Sequence, residues 1–220
     1  MAAIPRLAAA LGAGWLALTA MSAPGGLEAG VLDRINFARA HPQAYADQLR
    51  EYRAWFDGRI LYRPGDEAGV VTREGPGAVD EAIDFLERQA PLPPLSEGEV
   101  LALAARDHAA MQGRDGGTGH VSPDGASPGE RVRRRGGDIY VGESISYGFD
   151  GADDVVMQLI VDDGVPGRGH RKSLFARDYR YAGVGCGEHR TYRFMCVVDL
   201  SGTPTGMPML PAGYRVGGGS

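Results

Sequence analysis

The chain has 220 residues, 28 acidic against 23 basic, and a formal net charge of -5. That acidity excludes a general nucleic-acid binder, whose affinity comes from neutralising phosphates. The 34 Gly and 14 Pro are scattered among periodic apolar segments, so they describe a folded chain with many turns and not a disordered one.

Residues 1–23 carry a single charge, Arg6, then the apolar run Leu7 to Met21, and close on Ser22-Ala23 before Pro24. That order is the pattern of a secretory signal peptide cleaved near Ser22 or Ala23. The apolar core, about 15 residues broken by Gly12 and Gly14, is short for a membrane span, which needs about 20. No later segment is long or apolar enough to span a bilayer, so the reading is an exported, soluble mature chain. Its net charge is -6 because Arg6 leaves with the signal. About 197 residues remain, within the range of one domain.

Helical spacing of Val31, Ile35, Ala38, Tyr45, Leu49 and Tyr52, interrupted at His41-Pro42, predicts two helices near 29–40 and 43–56. Residues 57–77 lose all periodicity and collect seven Gly and Pro, the composition of a long surface excursion. Val79, Ile83 and Leu86 predict a helix over 78–89, ended by the stiff Pro91-Leu92-Pro93-Pro94 connector. Ser96 and Glu99 read as a capping box for a helix over 100–113 that Gly113 ends. His108 falls on the stripe of Val100, Ala104 and Met111, which makes it a packed helix histidine and not a ligand.

Residues 114–151 are loop-rich, with a helical turn expected from Ser127 and a short extended piece at 139–141. Asp153 or Asp154 would cap a helix running to about Val161. Arg131, Arg133, Arg134 and Arg135 form a basic knot, either a solvated face or a contact for an anionic surface. Two extended stretches, 182–188 and 192–200, flank Thr191. In a hairpin centred there, Cys186 and Cys196 lie opposite each other and a disulfide becomes feasible, which suits an exported chain; two buried thiols are the alternative. From Gly202 onward the tail reads as irregular.

Three glycine-marked segments carry the candidate chemistry: Gly119-His120-Val121, Gly142-Glu143-Ser144-Ile145 and Gly169-His170-Arg171. Two imidazoles and a carboxylate are metal ligands and proton carriers. Several helices with a few antiparallel strands and no regular alternation give an α+β fold.

These segments, with Ile35-Asn36-Phe37-Ala38-Arg39, Ala104 to His120 and Ala182-Gly183-Val184-Gly185, resemble the CAP superfamily of cysteine-rich secretory, antigen 5 and pathogenesis-related proteins in its exported bacterial form. The resemblance runs from about Val31 to Leu200, with a gap over a loop-rich insertion at 57–95. It implies a single domain over 29–201 folded as a three-layer α-β-α sandwich with a small antiparallel sheet. It also implies a cleft of His120, His170, Glu143 and a second acid. That acid maps to Asp162, with Asp163 as the fallback, and Leu159 stands where the family has an aromatic. An aspartate for the expected glutamate and Ser144 for the expected asparagine are departures from the pattern.

The family resemblance implies a secreted protein acting through lipid, cell-envelope or protein partners. The donor set itself suits a divalent ion, zinc most naturally, on His120 and His170. A metal-dependent hydrolase would use Glu143 as general base on a metal-bound water, with Asp162 orienting an imidazole. The chain has no zincin helix and no nucleophile elbow. Ser122 or Ser144 as nucleophile is the least supported option, and a purely structural polar core is the third reading.

Overall fold

A computed structural model describes residues 26–209; the signal-like segment 1–23 and the end of the tail lie outside them. Helices α1 (Gly26–Ala40) and α2 (Pro42–Arg53) meet at Pro42, as the sequence predicts. The excursion then forms a three-stranded antiparallel ribbon, β1 (Phe56–Asp57), β2 (Ile60–Leu61) and β3 (Val70–Val71). Next come α3 (Pro76–Arg88), β4 (Ser96–Glu97), α4 (Glu99–Asp115), α5 (Pro128–Arg134) and β5 (Gly142–Tyr147). The described chain ends with α6 (Ala152–Val161), α7 (Gly169–Leu174), β6 (Tyr181–His189) and β7 (Arg193–Ser201).

The central sheet has the order β4-β6-β7-β5. Its β6-β7-β5 part is antiparallel, and the short β4 joins β6 in parallel. The larger core lies on the face covered by α1 and α6, with α2 and α3 outside them, where Cys196, Val198 and Leu200 of β7 point. On the opposite face Ile145, Met195 and Val197 meet Ala105 and Ala109 of α4. The result is the α-β-α sandwich of the α+β class.

The strand Ala182-Gly183-Val184-Gly185 is written for this packing. A methyl on Gly183 would run into the Ala102 amide, and one on Gly185 into the Arg106 amide, so the two glycines let the α4 backbone lie on the sheet. The first-helix signature is a staple for the proline connector. Asn36 accepts from the Leu95 amide at 2.7 Å and donates to its carbonyl at 2.9 Å. Buried Arg39 donates to the carbonyls of Pro93, Leu174 and Ala176. The β6–β7 register is centred on Thr191 and puts Cys186 opposite Cys196, which form a disulfide.

Several local expectations change. Ser96 and Glu97 are spent on β4, where the Ser96 amide donates to Arg180 and the Gly98 amide to Ala182; Gly98 therefore starts α4 with no side-chain cap. A capping box does form at Ser127 and Glu130, at the start of α5. The α4 helix runs past Gly113 to a left-handed Gly116. Gly113 instead permits close approach of the Glu188 carbonyl. Gly151, not Asp153 or Asp154, begins α6. Residues 139–141 form no strand; the extended piece starts at Gly142.

Candidate functional site

His120 follows α4 on a loop held from three sides. The Gly119 carbonyl accepts from His108 Nε2 at 3.0 Å and from Gln112 Nε2 at 2.8 Å, and the Gly119 amide donates to the Tyr147 hydroxyl. That hydroxyl in turn donates to Gln112 Oε1 at 2.7 Å. Because His108 Nε2 is the donor to a carbonyl, its Nδ1 accepts from Ser122 at 2.8 Å. His108 is fully buried, and burial lowers its pKa, so it stays neutral and structural, as its place on the α4 stripe predicts.

Glu143 reaches His120 from β5. Its Oε1 accepts from His120 Nδ1 at 2.8 Å and its Oε2 from Arg131. The Glu143 side chain is 2 % exposed, whereas that of His120 is 52 % exposed. The second pair sits at the end of α6. Asp162 adopts the left-handed conformation that terminates the helix, one that Asp tolerates better than most residues. Its Oδ1 accepts from His170 Nδ1 at 2.6 Å and its Oδ2 from the His170 amide at 3.0 Å. Asp163 does not join the pair; its carboxylate accepts the Arg73 and Glu74 amides at 2.8 Å each.

His120, His170 and Asp162 border one cavity of about 690 Å³. Its walls are largely apolar, with Leu61, Ile145, Phe149 and Leu159 among them, and Val70 and Val71 of the ribbon complete one side. The ribbon is tied down by Arg63 to Asp154 at 2.5 Å and by Arg168 to Glu74 at 2.6 Å.

The basic knot is divided: Arg133, Arg134 and Arg135 are exposed, as a solvated face would have them, and Arg131 is not. Arg131 is 1 % exposed and points inward, donating to Glu143, Ser122 Oγ and the carbonyls of His120 and Ala126. Arg134 pairs with Asp124 and Arg135 with Asp107, which leaves Arg133 outside these ion pairs. Ser122 and Ser144 are both buried, Ser122 engaged by His108 and Arg131, and neither borders the cavity.

The model of the cysteine-rich secretory protein family, CAP, matches residues 32–200. The chain belongs to the CAP family. Among solved structures, the CAP domain is similar to an extracellular protein containing an SCP domain from Bacillus anthracis, at 20 % identity and a TM-score of 0.41. That match covers 58 % of this chain and only 38 % of the Bacillus chain. An outer surface protein from Borrelia burgdorferi matches at 19 % identity and a TM-score of 0.41, over 50 % of this chain and 77 % of that one. No curated protein matches.

The two histidines of the CAP domain share one arrangement: Nδ1 donates to a buried carboxylate and Nε2 is the ring nitrogen left over. Carboxylate-oriented imidazoles of this kind are what metal-binding histidines use. Yet no group of three or more His, Cys, Asp or Glu side chains is placed to hold an ion among the described residues. Each imidazole offers its Nε2 as a donor of the kind zinc takes, but the described residues do not supply the three protein ligands of a catalytic zinc centre.

Sequence reasoning missed Arg131 as a site residue, along with Tyr147, Gln112 and Asp199. Asp199 left a signal, a lone charge inside the apolar run Met195 to Leu200.

The Glu143 hydrogen bond raises the pKa of His120, against an opposing effect of burial and of Arg131. A group raised in this way stabilises the fold fully below the unfolded value of about 6.5, and the contribution is lost as pH rises through the folded value. In metal-free protein the His120 ring signals are expected to titrate above 6.5 by NMR, and Glu143→Gln to bring the midpoint down. A midpoint unmoved by the substitution would refute the assignment.

Proposed function

We propose that this CAP protein is an exported binding protein whose cleft takes an amphipathic cell-envelope ligand of lipid type. The observation that carries the reading is one cavity with largely apolar walls and two carboxylate-held histidines in its lining. The apolar body of the ligand would lie against Leu61, Ile145, Phe149 and Leu159, and its polar group at His120 and His170. Pockets of this composition, mostly apolar with a few fixed polar groups, are the usual form of small-molecule sites. A divalent ion, zinc being the best match to imidazole donors, would sit on His120 and His170 and polarise the ligand's polar group when bound.

Export is supported by the signal-like segment, by the Cys186–Cys196 disulfide, and by the extracellular or outer-surface description of the similar structures. No helix among the described residues is long and apolar enough to cross a membrane.

A hydrolase with Glu143 as base has weaker support. The Glu143 side chain is buried, held by His120 and Arg131, and does not border the cavity, so it is not placed to take a proton from a substrate water.

The reading is tested by thermal melts with fatty acids, phospholipids and cell-wall fragments, each with and without zinc. One class is expected to raise Tm, and Val71→Asp, on an exposed wall residue, to weaken its binding about tenfold, as loss of apolar contact and added charge would. If no class shifts Tm, the reading falls. Calorimetric titration of zinc into the His120→Ala/His170→Ala protein checks the ion separately; affinity equal to wild type would remove it from the site.

A further inference from the structure

Asp199 lies two residues from the end of β7 with its side chain fully buried, and neither carboxylate oxygen forms a hydrogen bond with a described residue. The sheet register sets it opposite Glu143 of β5 and Gly183 of β6. Gly183 brings no side chain, so the charged groups facing Asp199 are Glu143 and, from α5, Arg131. His108 of α4 and His120 of the loop stand behind these two in the same cluster.

Two carboxylates directly opposed across adjacent strands, both removed from water, cannot both ionise. Their surroundings decide which one keeps the proton. Glu143 receives a guanidinium on one oxygen and an imidazole N–H on the other, both of which favour its anion. Asp199 receives neither. Burial first, and the charge of Glu143 second, push the Asp199 carboxyl well above the ordinary carboxylate range.

We propose that Asp199 is a positioning residue of the cleft, a neutral carboxylic acid whose O–H donates to the Glu143 carboxylate and fixes it against Arg131 and His120. The proposal rests on the acid and guanidinium arrangement alone and holds whatever ligand the cavity takes. It also assigns the net charge of the cluster. With Asp199 neutral, the charges of Glu143 and Arg131 cancel within the buried part of the cluster. With Asp199 ionised, the same space would hold an uncompensated negative charge.

Carbon-13 titration of the Asp199 carboxyl in the whole protein, together with the Asp199→Asn and Asp199→Ala variants, tests this. The wild-type resonance is expected to stay at its protonated position through pH 7. A midpoint near 4 would overturn the proposal. The sign of the linked stability follows from the raised folded value. The folded protein keeps a proton that the unfolded chain releases above about pH 4, so wild-type stability declines as pH rises from there. Asparagine keeps an N–H donor and cannot ionise, so its Tm is expected to gain on wild type by about 5 °C or more between pH 5 and pH 8. A gap constant across that range would also overturn the proposal. The positioning role has its own readout in the Arg131 side-chain N–H signals, which are expected to persist in Asp199→Asn and exchange away in Asp199→Ala. Identical signals in all three proteins would remove that role. Should the alanine variant fail to fold, the wild-type titration and the asparagine melts decide.

Discussion

Replacing Arg131 with methionine is expected to destabilise the fold by about 3–5 kcal/mol, because it strands Glu143 as a buried charge without its cation. The guanidinium also ties together the His120 carbonyl, Ser122 and the Ala126 carbonyl, so the loop that carries His120 loses its anchor in the same step. Lysine retains the charge, but it cannot span three acceptors and a carboxylate from one planar head, and it is expected to recover only part of the loss. Urea unfolding at pH 7 measures both variants. A cost under about 1 kcal/mol for Arg131→Met, the scale of an exposed pair, would mean that the ion pair is solvated rather than buried.

The second large effect is expected from Gly185→Val. The added side chain has to enter space taken by the backbone of α4 at Ala105 and Arg106, and backbone cannot move aside as the end of a flexible side chain can. Overpacking costs typically about 1–3 kcal/mol and occasionally more, and the upper end is expected here. The same change pushes on the helix that carries His108 and Gln112, whose bonds to Gly119 fix the His120 loop. Ligand binding is therefore expected to weaken along with stability. Unfolding curves that overlay wild type within about 0.5 kcal/mol, the range of a neutral surface change, would show that α4 does not rest on β6 as described.

What the sequence disclosed depended on whether a residue's role was local. The helices α1, α2, α3 and α6 have an apolar stripe facing one core, and their periodicity marks them within a few residues. The β6–β7 hairpin was legible because Thr191 fixes its centre and two cysteines mark its register. Ser96 and Glu99 carried the spacing of a capping box, yet pairing with β6 took the Ser96 and Gly98 amides, and tertiary structure overrode the local pattern. Strand β5 was hidden for a different reason. Its Ser144 and Ser146 are buried against the α6 side, so the alternation of Glu143, Ile145 and Tyr147 on the other face shows no clean apolar and polar contrast.

The candidate site followed the same division. His120, Glu143, His170 and Asp162 could be named from their motifs, and the structure brings them together as two hydrogen-bonded pairs. The groups that hold them could not. Arg131 looked like one of four surface arginines, and only the α5 capping box turns it inward toward Glu143. Tyr147 reaches from β5 to α4 and the loop after it, and Asp199 faces Glu143 across strands; in both cases linear spacing carries no information about the partner.

The ribbon β1–β3 has a separate consequence. It forms its own small sheet and is fastened to the domain through Arg63, Asp163 and Glu74. The two histidine pairs are supported by α4, α5, β5 and α6, none of which belongs to it. A lineage that exchanged residues 56–71 for another insert, keeping Arg73 and Glu74 on Asp163, Gly164 and Arg168, would reshape one wall of the cavity while inheriting the two imidazole and carboxylate pairs.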